Sequence, residues 1–331
     1  MKVVIVGAGL AGASAAAMLK DRHEVTVYET RKYIGGNCYD CDSTHKVRYH
    51  VHGPHIFHTR NEQVWEFLNQ YTTFNNYEHK VMADTVLGCI PIPFNDISRD
   101  LVGELSESQI RDLLFVDYSE KMWGVPWSLL PEEITSRVPP VRYNNDCRYF
   151  TDKYQGIPVP GYTEMFERMF DGCTVQLDAA PDAWEYDPYD LLVYTGSLDE
   201  YYEHHYGRLG YKTLDIFPLV DGHIKGSTVA VINQCNKTVK YTRTTDNSFW
   251  YSGSDTEDSW DVVTTETPRN AKPDDIPYYP IPYGSNALLG NKYRNLDPGS
   301  RTIFIGRLAT YTYLNMDQVV EQALTRLAHL T

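Results

Sequence analysis

Three glycines near the start of the chain, in Gly7-Ala-Gly9-Leu-Ala-Gly12, have the spacing of a phosphate cradle. They follow Lys2-Val-Val-Ile-Val6, a β-branched run suited to a buried parallel strand, and open an alanine-rich helix that runs through Lys20. Gly7 permits a tight turn, Gly9 lets the backbone approach a pyrophosphate, and Gly12 lets helix and strand pack closely. The free N–H groups and partial positive charge of the helix N-terminus would face the phosphates. A second strand, Glu24-Val-Thr-Val-Tyr28, ends at Glu29, about twenty residues past the glycines, where a carboxylate can accept from a ribose hydroxyl. Strand, glycines, helix, strand and acid in that order specify a dinucleotide site.

A second chemistry is written in aromatic residues. The stretch from Asn145 to Thr163 is aromatic and polar with little apolar periodicity, and the chain carries 26 tyrosines. Tyrosine offers a flat apolar face to a base or a pyranose and a hydroxyl to sugar or phosphate oxygens. His50, His52, His55 and His58 crowd one short segment, yet alternation along an extended chain sends their rings to opposite faces and no carboxylate is spaced to complete a shell, so no metal is expected. Cys38-Tyr-Asp-Cys41 has no second pair, and the six cysteines read as free thiols.

These groups need a scaffold. At 331 residues the chain can bury a sizeable core in two or three domains. The formal charge of −14 argues against nucleic-acid and anionic-membrane partners, so an anionic substrate must be received by a local cluster of arginines. With no run of about eighteen apolar residues and an N-terminus that enters a strand directly, a cytoplasmic protein is expected. Helical spacing covers Asn61–Tyr71, alternation covers Glu78–Ile92, and Asp96–Trp127 is helical in pattern with a Ser106/Gln109 capping box. Prolines 126, 131, 139 and 140 punctuate a loop around Arg137. A short strand is expected at Leu191–Thr195, and strands and turns fill Lys212–Tyr279, with Thr228–Ile232 and Lys237–Thr242 the clearest. A buried strand beginning at Thr302 and ending in glycine at Gly306, then a helix over Met316–Leu330, bring the chain end back to the first domain.

The whole resembles the UDP-galactopyranose mutase family of flavoenzymes. Gly35-Gly36-Asn37 is similar to the segment that such flavoproteins place beside the FAD pyrophosphate, and Gly53-Pro54-His55-Ile-Phe-His58-Thr59 to the flavin-contacting histidine loop. Tyr118-Ser-Glu-Lys-Met-Trp123-Gly124 is similar to the uridine and sugar segment. Tyr149–Pro158, Gly161–Thr163, Tyr241–Arg243, Pro277–Pro280 and Gly306–Tyr313 repeat family sequence almost verbatim, and the islands span nearly the whole chain. The resemblance implies an α/β fold: a Rossmann-like FAD-binding domain from residues 1–73, 159–198 and 283–331, a small helical domain from 94–158, and an antiparallel β-sheet substrate domain from 74–93 and 199–282. It implies FAD held by Gly7, Gly9, Gly12, Glu29, Gly36, Asn37, His55, Gly306, Arg307, Asn315 and Met316. A UDP-sugar would be held by Tyr118, Trp123, Arg137, Tyr149, Asn233, Arg243, Tyr279 and Tyr313.

The reaction implied is interconversion of UDP-galactopyranose and UDP-galactofuranose, in which N5 of reduced FAD displaces UDP from the anomeric carbon and the opened sugar recloses through O4. His55, Arg137 and Arg243 are the implied catalytic residues, the arginines because a planar fork suits phosphate oxygens. Family relatives acting on N-acetylated galactose or arabinopyranose are alternatives; an FAD-dependent amine oxidase or dehydrogenase would share the fingerprint but not the paired arginines. Pro54, Lys212, Asn315 and Leu114 depart from the family pattern. Between Asn95 and Tyr118 the chain is shorter than bacterial relatives, which implies a monomer or a dimer unlike theirs.

Overall fold

The computed structural model describes all residues except 45, 221–226 and 252–261. Two large sheets organise it. The first is parallel, with strands in the order Thr174–Gln176, Glu24–Tyr28, Lys2–Val6, Leu191–Tyr194, Thr302–Phe304. Val3 and Ile5 enter the main core with helix Leu10–Leu19, while Val4 points to the other face, against Tyr28, Leu192 and Tyr194. Burial on both faces is why this strand reads as an unbroken apolar run. Helices Leu10–Leu19, Tyr162–Phe170 and Met316–Leu327 cover one face, and the strand near the chain end, Thr302–Phe304, half-buried rather than buried, pairs with Leu191–Tyr194.

The second sheet has seven strands in the order Tyr279–Pro280, Tyr211–Val220, Val262–Asn270, Arg243–Asp246, Val231–Gln234, Val81–Thr85, Gly88–Ile92. It is antiparallel except where Val231–Gln234 runs parallel to Val81–Thr85. Residues opposite one another share a face. Asn233 stands opposite Arg243, Arg243 opposite Glu266, Glu266 opposite Ile216, and Lys212, an even number of residues from Ile216, opposite Tyr279. Asn233, Arg243, Glu266, Lys212 and Tyr279 therefore project from one side of this sheet.

Some expectations need correction. The helical stretch from Asp96 is three α-helices, Asp96–Val102, Glu107–Arg111 and Asp117–Trp123, the last two joined by a π turn over Asp112–Val116. Gly103, at φ 83°, ends the first, and the Ser106/Gln109 capping box starts the next. Gly124, at φ 73°, ends the third, so Trp127 falls in a short 3₁₀ turn beyond it. Lys237–Thr242 is not a strand. Asn236 Oδ1 accepts from Thr238 N at 2.9 Å, an Asx turn, and the strand begins only at Arg243. Its partner is Val231–Gln234 rather than Thr228–Ile232. The C-terminal helix stops at Leu327. Small two-stranded pairings, such as Asp40–Asp42 with Arg48–His50 and Phe57–Thr59 with Tyr154–Gly156, were not anticipated.

Candidate active site

The glycines form a cradle that side chains would fill. Gly7 lies at φ +100°, and a Cβ there would meet Thr195 Oγ1 at 2.2 Å. Gly36 lies at φ +57° with its would-be Cβ 2.8 Å from Gly9 Cα, so the two glycine segments lean on each other. Gly12 packs against the strand turn: a Cβ there would meet Gly7 O at 1.9 Å. A cleft of about 860 Å³ opens above this cradle, lined by Gly7, Gly9, Glu29, Gly36, Asn37, His55, Gly306, Arg307 and Met316 from the expected set. Gly12 and Asn315 do not line it. Gly12 serves the strand–helix packing beneath, and Asn315 Oδ1 accepts from Arg137 Nη1 at 2.8 Å.

Glu29 is buried, lines the cleft, and accepts from Ala8 N at 2.8 Å, from Arg31 N at 2.9 Å and from Thr30 Oγ1 at 3.4 Å, so it braces the turn. Arg31 also lines the cleft. Its Nη2 donates to Asn37 Oδ1 at 2.8 Å, and its Nη1 is buried without a partner. An unpaired guanidinium donor beside two close-approach glycines fits a pyrophosphate, and the residues present fit a dinucleotide such as FAD. The sequence reading missed Arg31; its position between the acid at Glu29 and the glycine pair was the available signal.

The four histidines go to different partners. His52 bonds Tyr278 Oη at 2.8 Å and Tyr33 Oη at 3.0 Å, and His58 Nδ1 bonds Asp152 Oδ2 at 2.9 Å. His50 Nδ1 accepts from His55 N at 3.1 Å, and its ring stacks on Trp250. Only His55 lines the cleft. Its Nδ1 lies 2.8 Å from Gly53 O, an acceptor, so Nδ1 carries the proton and Nε2 a lone pair. Burial lowers the His55 pKa to about 4, aided by Arg307 and Arg243, so the ring is neutral near pH 7.

Beside the cleft, Tyr279 and Tyr313 meet edge to face at 5.3 Å, with Trp123 at 5.9 Å from Tyr313. Cations cover these rings. The Arg137 guanidinium lies 3.8 Å from the Tyr313 centroid and that of Arg307 4.9 Å from Tyr279. Arg137 Nη2 donates to Tyr313 O at 2.8 Å, and Arg307 Nη1 to Tyr278 O at 3.0 Å. Among the described residues neither forms an ion pair. Arg243 Nη2 donates to Tyr118 Oη at 3.1 Å, its Nε is buried without a partner, and its Nη1 stands 3.7 Å from Glu266 Oε2. Tyr149 belongs to the same group, where burial pushes its hydroxyl pKa up to about 12 and the Arg243 cation nearby offsets part of that rise. Asn233, 8% exposed on the same sheet face, has an unpartnered Oδ1.

Glu266 was also missed. It is 3% exposed, its Oε1 has no partner, burial raises its pKa, and it touches the histidine loop, since a Cβ at Gly53 would lie 3.3 Å from its carboxyl. A lone acid in the threonine-rich stretch Val262–Thr267 was the signal. The Gly161–Thr163 island supports the site from behind: Tyr162 Oη donates to His55 O at 3.1 Å, while Tyr162 N and Thr163 N donate to the buried Asp40 carboxylate at 2.8 and 2.9 Å, which anchors a helix start. Leu114 is buried in the core.

Comparison with known proteins gives the same direction. A family model described as UDP-galactopyranose mutase matches residues 113–313, and one described as an NAD(P)-binding Rossmann-like domain matches residues 5–71. The chain is 36% identical to a probable UDP-galactopyranose mutase of Klebsiella pneumoniae, over 97% of this chain and 92% of that protein. It is 32% identical to a dTDP-fucopyranose mutase of Escherichia coli, over 98% and 96%. A crystal structure of reduced UDP-galactopyranose mutase superposes with a TM-score of 0.77 over 99% of this chain and 93% of that one, at 15% identity, a likeness of fold.

Proposed function

The chain belongs to the UDP-galactopyranose mutase family, and on that premise we propose that it interconverts UDP-galactopyranose and UDP-galactofuranose, using FAD in its reduced form. The observation that carries this reading is the charge arrangement. In a chain of net charge −14, Arg137 and Arg307 lie over Tyr313 and Tyr279 and Arg243 holds Tyr118, with Glu266 the one carboxylate paired to these arginines among the described residues. A dianionic diphosphate supplies the missing counter-charge, and the aromatic faces suit uracil and sugar.

Gly7, Gly9, Gly36 and Arg31 would hold the pyrophosphate of FAD, which in its reduced form would supply a nucleophile toward the anomeric carbon. The protein's residues do the rest. Arg137 and Arg243 receive the diphosphate and stabilise its charge as it departs. Asn233 offers an unpartnered acceptor to the nucleotide. Trp123, Tyr118, Tyr149, Tyr279 and Tyr313 orient the sugar nucleotide and keep water away. His55, being neutral, offers the flavin a lone pair at Nε2 rather than a positive charge. We assign residues 1–73, 159–198 and 283–331 to the cofactor-binding unit, 94–158 to a helical lid, and 74–93 and 199–282 to the substrate sheet; in support, each large sheet draws every strand from its own set of ranges.

The relative named dTDP-fucopyranose mutase makes dTDP-fucose the second substrate to try. The test is anaerobic incubation of the dithionite-reduced holoprotein with UDP-galactose and, separately, dTDP-fucose, with pyranose and furanose forms resolved by chromatography. Furanose from UDP-galactose, formed without stoichiometric consumption of reductant, is the expected result. Equal turnover by oxidised enzyme defeats the N5 chemistry, and turnover of dTDP-fucose alone reassigns the substrate.

A further inference from the structure

Lys121 is surrounded by main-chain carbonyls. Its Nζ donates to Gln234 O at 2.7 Å, Val239 O at 3.0 Å, and both Asn236 O and Tyr241 O at 3.1 Å. An ammonium has three N–H bonds, so the four acceptors share them in a closed cage. Gln234 ends strand Val231–Gln234, and the other three carbonyls lie on its connection to strand Arg243–Asp246. Those strands carry Asn233 and Arg243, which face each other in register. Lys121 itself sits on helix Asp117–Trp123, one turn from Tyr118, and residues three apart on a helix share a face.

One side chain thus fastens the helix bearing Tyr118 and Trp123 to the turn that leads into Arg243. Other holds fix the two ends of this connection: Cys235 N donates to Asp84 O at 2.9 Å, Gln234 N to Thr242 O at 2.9 Å, and Thr242 N to Glu266 O at 2.8 Å. Between them, residues 236–241 have the Asn236 Asx turn, a Val239 N to Asn236 O bond at 3.3 Å, and the ion pair of exposed Lys237 with half-buried Asp117, a kind of contact worth little. Carbonyls that would otherwise pair along a strand are turned inward onto a single cation, which is also why Lys237–Thr242 does not extend.

We propose that Lys121 is a positioning residue of the active site: its ammonium locks the 234–241 connection onto the Tyr118 helix and thereby holds Arg243 against the Tyr118 hydroxyl in the arrangement that receives the sugar nucleotide. This rests on the reading of Arg243 as a diphosphate ligand. Lys121→Met keeps the stem and removes the donors, while Lys121→Arg cannot match the cage, because a planar fork directs its donors away from a common centre.

The experiment is a double-mutant cycle on oxidised, FAD-loaded protein, with UDP as the probe in isothermal titration calorimetry and flavin absorbance as the control. K121M is expected to weaken UDP binding about 10-fold in the wild-type background and to have little further effect in R243A, with FAD content and the flavin spectrum unchanged. Should K121M not stay soluble, K121A purified with n-propylammonium provides the same comparison: UDP affinity is expected to fall when the amine is dialysed out and to return saturably when it is restored. Unchanged UDP affinity in K121M alongside weakened binding in R243A overturns the proposal and leaves the Arg243 reading intact. Wild-type affinity in R243A overturns both. Equal losses from K121M in both backgrounds show that Lys121 acts elsewhere, and also overturn the proposal.

Discussion

Truncating the two proposed diphosphate arginines should produce different kinds of damage, because the structure gives them different surroundings. Arg137 is held by neutral groups, Asn315 Oδ1 and Tyr313 O, and lies at the surface. Arg243 is the counter-charge to a buried carboxylate, with Glu266 3% exposed and 3.7 Å away. Each charge-assisted contact to substrate is worth about 1.5–3 kcal/mol, so Arg137→Ala or Arg243→Ala should lower kcat/KM roughly 10- to 150-fold. The stability costs diverge. R137A exposes no buried partner and should unfold within about 0.5 kcal/mol of wild type. R243A strands Glu266, and removal of one member of a buried pair costs about 3–5 kcal/mol. Much of that should return in R243A/E266Q, where no charge is left buried, while the kinetic loss remains. Urea unfolding and steady-state kinetics of the four proteins decide the matter. If R137A and R243A lose stability equally, or if E266Q does not restore R243A, the electrostatic assignment of Glu266 is wrong.

Three further outcomes are expected. Gly36→Ala places a methyl 2.8 Å from Gly9 Cα at a φ of +57°, and should cut FAD affinity at least about 10-fold, whereas Gly88→Ala, at a positive φ but in open space, should leave flavin content unchanged. Lys212 is 3% exposed, and burial lowers its pKa from 10.5 to about 8, so between those values the unfolded chain holds a proton that the native protein lacks and stability rises with pH. The full effect is about 3 kcal/mol, of which about 2 kcal/mol falls between about pH 7.5 and pH 9.5, and urea unfolding of K212M against wild type should show that difference vanish. Light scattering with cross-linking should find a monomer, or a dimer whose contacts avoid Asp96–Phe115; cross-links joining that segment to itself in two copies would refute this.

The centre of the parallel sheet was legible because strands Lys2–Val6 and Leu191–Tyr194 are largely buried on both faces and the glycines after the first have no other use. Lys2–Val6 and Glu24–Tyr28 fall where the pattern puts them. The stretch after Asp96 was harder: apolar spacing continues through Gly103 although the backbone there turns to φ 83°. Alternation also misled at Lys237–Thr242, since the carbonyls that a strand would use are claimed by an ammonium far away in sequence. The aromatic and arginine site was legible mostly through family resemblance, residue by residue. Glu266 and Arg31 escaped because their meaning lies in missing partners, Oε1 of one and Nη1 of the other, and only three-dimensional packing reveals what a buried atom lacks.

The cofactor cradle has a consequence for folding of the protein. Its floor comes from the first few dozen residues, Gly7 through Asn37, but its wall comes from Gly306, Arg307 and Met316, and the two ends touch closely enough that a Cβ on Gly306 would lie 2.9 Å from that of Ala11. Almost the entire chain is the loop that this contact closes. A chain in which Thr302–Phe304 has not yet docked beside Leu191–Tyr194 therefore has a pocket with one wall missing. Cofactor capture is thereby coupled to a contact of long sequence separation, and flavin retention on refolding should report closure of the whole parallel sheet.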